Sequence, residues 1–317
     1  MNILITGATG FVGRALGAQL AREPSIELTA AGRTQPLLDT AKYVEIPDIG
    51  PETNWQAAVT GTDVVIHMAA RVHMMRDTDP FPEQAFRRVN VDGTLNLARQ
   101  AARAGVRRFV FVSSIKVNGE NTATGRPFRA EDPPDPKDLY GVSKLEAENG
   151  LRALGTTGME IVIVRPPLTY GPSVGANFLA MMRWLNRGIP LPFGRLDNLR
   201  SLIAVDNLAD LLVTCARHPH AAGRTLLASD GEDLSTTELL IRLGRALGHP
   251  ARLIGVPPEA LRLGATLLGR QGLYARLCGS LQIDSSATER LLSWRPIVTV
   301  DEGLRRTAEH FLGSKRQ

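Results

Sequence analysis

The chain has 317 residues, 43% of them hydrophobic and 22% charged, which suits one large or two modest globular domains and excludes wholesale disorder. The net charge of +5 comes from scattered basic residues without a long basic run, so it describes a solvated surface and not a nucleic-acid partner. Cys215 and Cys278 lie in apolar stretches without metal-ligand spacing, so both read as reduced core thiols, and no metal is expected.

The first residues, Met1-Asn2-Ile3-Leu4-Ile5, have neither the basic start nor the long apolar run of a signal peptide. No stretch approaches the roughly 18 apolar residues of a membrane span. The expectation is a cytoplasmic protein with no membrane partner. Short apolar runs at Asn2–Ile5, Glu27–Ala31, Tyr43–Ile46, Asp63–Met68, Phe109–Ser113 and Glu160–Arg165 predict strands buried on both faces of a parallel sheet. Helical patterns at Phe11–Arg22, Glu83–Ala104 and Tyr140–Leu154 alternate with them. This alternation predicts an α/β fold, a Rossmann-type doubly wound parallel sheet with right-handed crossovers.

After Arg165 the character changes. Pro166-Pro167 and Gly171-Pro172 interrupt the pattern. A helix is predicted near Phe178–Asn186, a strand at Leu202–Val205, and helices at Asn207–Arg217, Thr236–Leu247, Pro258–Leu268 and Thr288–Leu292. The expected organisation is a dinucleotide-binding domain over 1–168, completed by about 201–229. A smaller, mainly helical substrate lobe takes 169–200 and 230–317. A crevice between such lobes is where these folds bind ligands.

Gly7-Ala8-Thr9-Gly10-Phe11-Val12-Gly13 follows the first strand and opens the first helix. Glycines let the backbone approach a pyrophosphate with no Cβ in the way, and the helix N-terminus turns free N–H groups and a partial positive charge towards it. The context within a βαβ unit makes this a dinucleotide site. An acidic residue at the end of the second strand would bond the adenosine ribose and favour NAD. The segment ends instead in Gly32-Arg33. Arg33, assisted by Arg14, suits a 2′-phosphate, although in a chain with 32 arginines both also read as surface residues. NADP(H) is therefore expected over NAD(H).

Tyr140 and Lys144 stand one helical turn apart on one face. A phenol titrates near 10, and a neighbouring ammonium is expected to lower it towards the working range. The strand Phe109–Val112 ends in Ser113-Ser114 at the expected C-terminal edge of the sheet. Ser114 is placed to bond a substrate oxygen and share its proton with Tyr140, and Ser113 to cap the strand end. The expected catalytic set is Ser114, Tyr140 and Lys144.

The glycine loop in its GxxGxxG spacing, the Ser-Ser strand end and the Tyr-x-x-x-Lys pair resemble, in order and spacing, the extended short-chain dehydrogenase/reductase superfamily. Within it the chain looks like the NAD-dependent epimerase/dehydratase family acting on nucleotide sugars. The resemblance runs over nearly the whole length. It implies a cofactor lining at Met68, Ala69 and Ala70 after His67, an adenine contact at Asp48-Ile49, and the Asn90-Val91-Asp92-Gly93-Thr94 helix. It further implies a Tyr170-Gly171-Pro172 turn, a substrate contact at Asn177, and a diphosphate-holding Arg200 in Arg200–Asp206. Leu292-Ser293-Trp294-Arg295-Pro296 resembles a segment near the family's C-terminus. A homodimer is usual for the family.

Departures narrow the chemistry. In sugar 4,6-dehydratases the catalytic hydroxyl precedes an Asp-Glu pair that eliminates water. Here Ile115-Lys116 stands in that place, which disfavours the dehydratase. The expected reaction is NAD(P)H-dependent reduction of the 4-keto group of a nucleotide sugar. Ala70–Met75, Val164–Pro167, Ser229–Ser235 and Leu277–Leu281 resemble the subgroup that reduces UDP-4-keto-6-deoxy-N-acetylhexosamines for surface polysaccharide. The alternative is an NAD-dependent UDP-hexose 4-epimerase. A more distant one is a dinucleotide-sensing protein, which would typically lack the Tyr-x-x-x-Lys pair. His73 reads equally as a group approaching the sugar carbonyl or as a loop histidine. Arg276 reads as a diphosphate contact or a surface arginine.

Overall fold

The computed structural model describes residues 1–38, 41–72, 79–123, 125–155 and 158–314. Strands are β1 (Asn2–Thr6), β2 (Glu27–Gly32), β3 (Lys42–Glu45), β4 (Val64–His67), β5 (Arg108–Val112), β6 (Glu160–Arg165), β7 (Leu168–Tyr170), β8 (Arg200–Ala204), β9 (Thr225–Leu227) and β10 (Asp233–Leu234). The helices of the first half are α1 (Phe11–Leu20), α2 (Gln56–Val59), α3 (Pro82–Phe86), α4 (Thr94–Arg103) and α5 (Leu139–Leu154). Those of the second half are α6 (Ala176–Asn186), α7 (Val205–Arg217), α8 (Thr236–Ala246), α9 (Pro258–Leu267), α10 (Gln271–Cys278), α11 (Ser286–Leu292) and α12 (Val300–Gly313).

Seven strands form one parallel sheet in the order β3-β2-β1-β4-β5-β6-β9. Alternation along each strand divides the core between the two faces. Ile3, Ile5, Val64, Ile66 and Val110 pack with Leu16 of α1 and Leu208 and Leu212 of α7. Leu4, Val65, Phe109 and Phe111 pack with Leu97 of α4 and Ala147 and Leu151 of α5. Each such fully buried large apolar side chain contributes about 1.5–3 kcal/mol. These apolar runs hold the sheet edge rigid, which positions the loops that leave it.

A smaller sheet, β10-β8-β7, lies with α6, α8 and α12 around a separate core that includes Tyr170, Phe178, Leu202, Leu240, Leu304 and Phe311. The strand expected at Leu202–Val205 therefore runs over Arg200–Ala204 and belongs to this second sheet. The single helix expected over Glu83–Ala104 is α3 and α4 joined by a wider, π-helical stretch at Arg87–Gly93. Gly93 sits there against Ile49, whose Cγ2 would lie 2.8 Å from an added Cβ. Among the described residues no helix is long and apolar enough to cross a membrane.

Candidate active site

Parallel register decides what meets at the sheet edge. Thr6 pairs with His67, and His67 with Phe111. The next residues of the three strands, Gly7, Met68 and Val112, therefore leave on the same side, and carry the glycine loop, Met68–Ala70 and Ser113-Ser114 with them. His67 locks this edge. It bonds Thr6 Oγ1 at 2.7 Å and Thr94 Oγ1 at 3.0 Å, and its ring lies along Phe111. Burial, then the nearby Lys144 charge, pushes its pKa down to about 3, so it is a neutral pin within the core.

The glycine loop fits a dinucleotide phosphate. Gly7 has φ +75°, and a Cβ there would meet Ala69 N at 2.8 Å. A Cβ on Gly13 would meet the Gly7 carbonyl oxygen at 2.0 Å, so only glycine lets α1 start this close to β1. Gly10 N-caps α1 without a side-chain bond, and Thr9 and Gly10 are exposed. The first N–H groups of the helix thus face a backbone cradle of the kind that holds phosphate. Phe11 and Val12 are half-buried beside it, and Arg14 Nη1 donates to the Thr9 carbonyl at 2.8 Å, bracing the loop. Met68, Ala69 and Ala70 are half-buried across from it. Arg33 is exposed just past β2. Asp48 pairs with Arg88 at 2.6 Å in an exposed ion pair, while Ile49 packs inward.

Tyr140 and Lys144 lie on α5, whose N-cap Asp138 accepts from the Gly141 N–H at 2.7 Å. Asp138 also bonds Lys116, which reaches Glu120 at 3.0 Å. Lys116 thereby ties the loop after β5 to the start of α5. Gly141 permits the approach, since a Cβ there would sit 2.9 Å from the Lys116 carbonyl oxygen. This brings Tyr140 beside the Ser114 segment. Ser114 is in extended backbone, and its Oγ accepts from the Lys116 N–H at 3.2 Å. Tyr140 is half-buried and edge-on to Phe86. Lys144 is 1% exposed, its ammonium 4.1 Å above the Phe111 ring centroid.

Burial lowers the Lys144 pKa to about 7, with Glu148 opposing the shift. Burial and then Asp138 push Tyr140 up to about 12. The expected lowering of the phenol is thus not what its own surroundings give: desolvation and the Asp138 carboxylate both raise it. In the chain alone Tyr140 is a protonated phenol next to an amine poised near neutrality.

A buried network behind this face was not foreseen. Glu148, one turn past Lys144, accepts from Arg165 Nε at 2.9 Å and Nη2 at 2.6 Å, from Ser113 Oγ at 2.6 Å and from Arg152 Nη2 at 2.8 Å. Burial alone would raise its pKa, but Arg165 and these other bonds hold it below the carboxylate range. Ser113 therefore bonds a carboxylate on α5 and does not cap the strand. Arg165 Nη1 donates to Asn118 Oδ1 at 2.9 Å, fixing the loop beyond Ser114. Asn90, in the π-helical stretch, accepts from the Arg71 N–H at 2.8 Å and donates to the Arg71 carbonyl and Ser143 Oγ, both at 3.0 Å. The sequence signal was available: Glu148 continues the four-residue spacing of Tyr140 and Lys144, and Asn90 is a lone amide on a buried face.

The remaining predicted residues lie in the smaller lobe or near it. Asn177 is half-buried on the first turn of α6. Arg200 starts β8 and donates to the Gly279 carbonyl at 2.7 Å, next to Cys278. Arg276 is exposed on α10. His73 lies outside the described residues.

Strand order and glycine cradle together place the chain among the extended short-chain dehydrogenases/reductases. The sequence pattern of the "NAD dependent epimerase/dehydratase family" matches residues 3–227, and the chain is an enzyme of that family. It is 45% identical over 313 residues to a UDP-glucose 4-epimerase of Vibrio cholerae, covering 98% of this chain and 95% of that one. Its fold resembles a UDP-glucuronic acid 4-epimerase of Bacillus cereus in complex with NAD, with TM-score 0.79 at 19% identity, covering 99% of both chains. A UDP-glucose 4-epimerase of Thermotoga maritima, with UDP-glucose, also gives TM-score 0.79 at 21% identity, covering 99% of this chain and 100% of that one.

Proposed function

We propose that the protein is a nucleotide-diphosphate-sugar 4-epimerase with Tyr140, Ser114 and Lys144 at the reacting centre. The observation that carries this is that the carboxylates of this region are already bonded to cations. Asp138 and Glu120 are both engaged by Lys116, and Glu148 by Arg165, Arg152 and Ser113. Among the described residues Tyr140 is left as the group suited to move a proton at the sugar's O4, which is enough for chemistry at C4 and not for eliminating water. The near-full-length relationship to a UDP-glucose 4-epimerase favours inversion at C4 over net reduction.

In this reading the dinucleotide sits on Gly7, Thr9, Gly10, Phe11, Val12, Gly13, Met68, Ala69 and Ala70, and supplies the acceptor and donor of hydride when bound. Tyr140 takes the proton from O4 as C4 is oxidised and returns it after the sugar has presented its opposite face. Ser114 Oγ hydrogen-bonds O4 in both halves and stabilises charge developing there. Lys144, as a cation, favours the phenolate. The substrate lobe, 169–200 and 230–317, holds the diphosphate through Arg200 and Arg276 and the sugar through Asn177. Incubation with UDP-glucose and no added cofactor should yield UDP-galactose with no net change in nicotinamide absorbance. Failure to interconvert any UDP-hexose contradicts the proposal.

Two observations favour a second reading, an NADPH-dependent 4-ketoreductase of UDP-4-keto-6-deoxy-N-acetylhexosamines in polysaccharide precursor synthesis. β2 ends in Gly32-Arg33 with no carboxylate for the ribose diol, which suits NADP(H), and Tyr140 is held as a protonated donor. Stoichiometric oxidation of NADPH by that ketosugar would establish it.

A further inference from the structure

Helices α9 and α10 form a hairpin joined to the rest of the protein mainly at its base, where the Leu277 and Gly279 carbonyls accept from Thr236, Asn198 and Arg200. Neither helix buries a residue, and each packs chiefly against the other. Tyr274 Oη ties them by donating to the Pro258 carbonyl at 3.3 Å. At the turn, apolar side chains collect in solvent: Leu263 is 63% exposed, Leu267 78%, Leu268 76% and Leu273 38%. Leu263 and Leu267 stand one turn apart on one face of α9. Single exposed leucines are ordinary, but a cluster at one protruding turn marks an interaction surface.

The charge around the cluster identifies its partner. Between residues 251 and 280 there are four arginines, Arg252, Arg262, Arg270 and Arg276, all exposed, against the single acid Glu259. Arg262 and Arg270 flank the leucines directly. A second copy of this face would oppose arginine with arginine, which disfavours self-association. An apolar tip ringed by cations suits a layer with an apolar interior and an anionic surface. The hairpin also runs directly into Gly279, whose carbonyl holds Arg200, so its tip is fixed to the lobe that contains that arginine.

We propose that the α9–α10 hairpin seats the protein on an anionic lipid bilayer, with Leu263, Leu267, Leu268 and Leu273 inserted at the headgroup boundary and Arg262 and Arg270 against lipid phosphates. The docking is peripheral and independent of which reaction occurs at C4.

The test is sedimentation of the full chain with vesicles of phosphatidylcholine alone or mixed with phosphatidylglycerol. The protein is expected to pellet with the mixed vesicles and to be released by salt. Leu267→Glu with Leu268→Glu should abolish pelleting. Arg262→Gln and Arg270→Gln should each lower the partition coefficient about five-fold. All three variants should keep wild-type thermal melting and dinucleotide binding, which separates loss of docking from loss of fold. A wild-type protein that stays in solution with mixed vesicles overturns the proposal, as do leucine variants that pellet like wild type. So does a dimer in sedimentation velocity that the leucine variants dissociate, since the tip would then be an interface between copies.

Discussion

Helix α5 buries charge, and the α9–α10 hairpin exposes leucine. On α5, Lys144 and Glu148 are 1% and 0% exposed, and Glu148 is met by Arg165, Ser113 and Arg152 from β6, the end of β5 and its own helix. On the hairpin, Leu267 and Leu268 touch no comparable partner set and no residue is buried. Both depart from ordinary burial, and departures of this kind mark function. They differ in what depends on them. The α5 charges are cross-braced by several elements, so a change there should reach the site and the fold together. The hairpin can change while the rest stands.

The largest effect should come from Tyr140→Phe, which removes the proton carrier and leaves the ring against Phe86. C4 turnover should fall about a thousand-fold with dinucleotide binding intact. Turnover near wild type would remove Tyr140 from the centre. Glu148→Ala leaves Arg165 buried without its counter-charge and should cost about 3–5 kcal/mol in urea unfolding. A cost under about 1 kcal/mol would mean the network behaves like a surface ion pair, and the contrast with the hairpin would weaken.

Lys144 sharpens the comparison through pH. Its amine has an ordinary value of 10.5 and a folded value of about 7. The cost of burying it is therefore absent above the unfolded pKa, grows as pH falls, and is fully present below about 7. Lys144→Met should raise the melting temperature at neutral pH while lowering activity. With Tyr140 at about 12 and Lys144 at about 7, the pair in its phenolate-ammonium form increases about tenfold per pH unit up to about 7 and is level above it. The rate of C4 oxidation should follow that shape, and in Lys144→Met the rise should continue past pH 7. A wild-type rate that falls between pH 5 and 7 contradicts the assignment. The smallest effect is expected from Leu267→Glu, within about 0.5 kcal/mol of wild-type stability and with unchanged turnover of a soluble nucleotide sugar. A clear loss of stability by melting would show that the hairpin carries packing the rest depends on.

The sheet was legible because a strand buried on both faces needs a continuous apolar run, as Val64–His67 and Arg108–Val112 show. The glycine cradle was legible because much of its reason is local: Gly7 takes a positive φ, and a Cβ on Gly13 would meet the Gly7 carbonyl. Part of what sequence reading missed depends on partners distant in the chain. Asn90 bonds Arg71 and Ser143, partners 19 and 53 residues away in the chain. The rise in the Tyr140 pKa needs burial and the Asp138 charge, where the sequence spacing pointed only to Lys144. Helix α12 lies outside the predicted elements although Val300, Leu304, Ala308 and Phe311 repeat at helical spacing and Thr299 caps it. Short strands such as Thr225–Leu227 have too few residues for any period to register.

The most direct test of inversion at C4 uses UDP-glucose carrying deuterium on C4, the purified protein and no added dinucleotide. UDP-galactose that keeps the deuterium at C4 is expected, because the hydride leaves and returns within one bound complex. Absence of UDP-galactose, or UDP-galactose in which that deuterium has been lost, would contradict it.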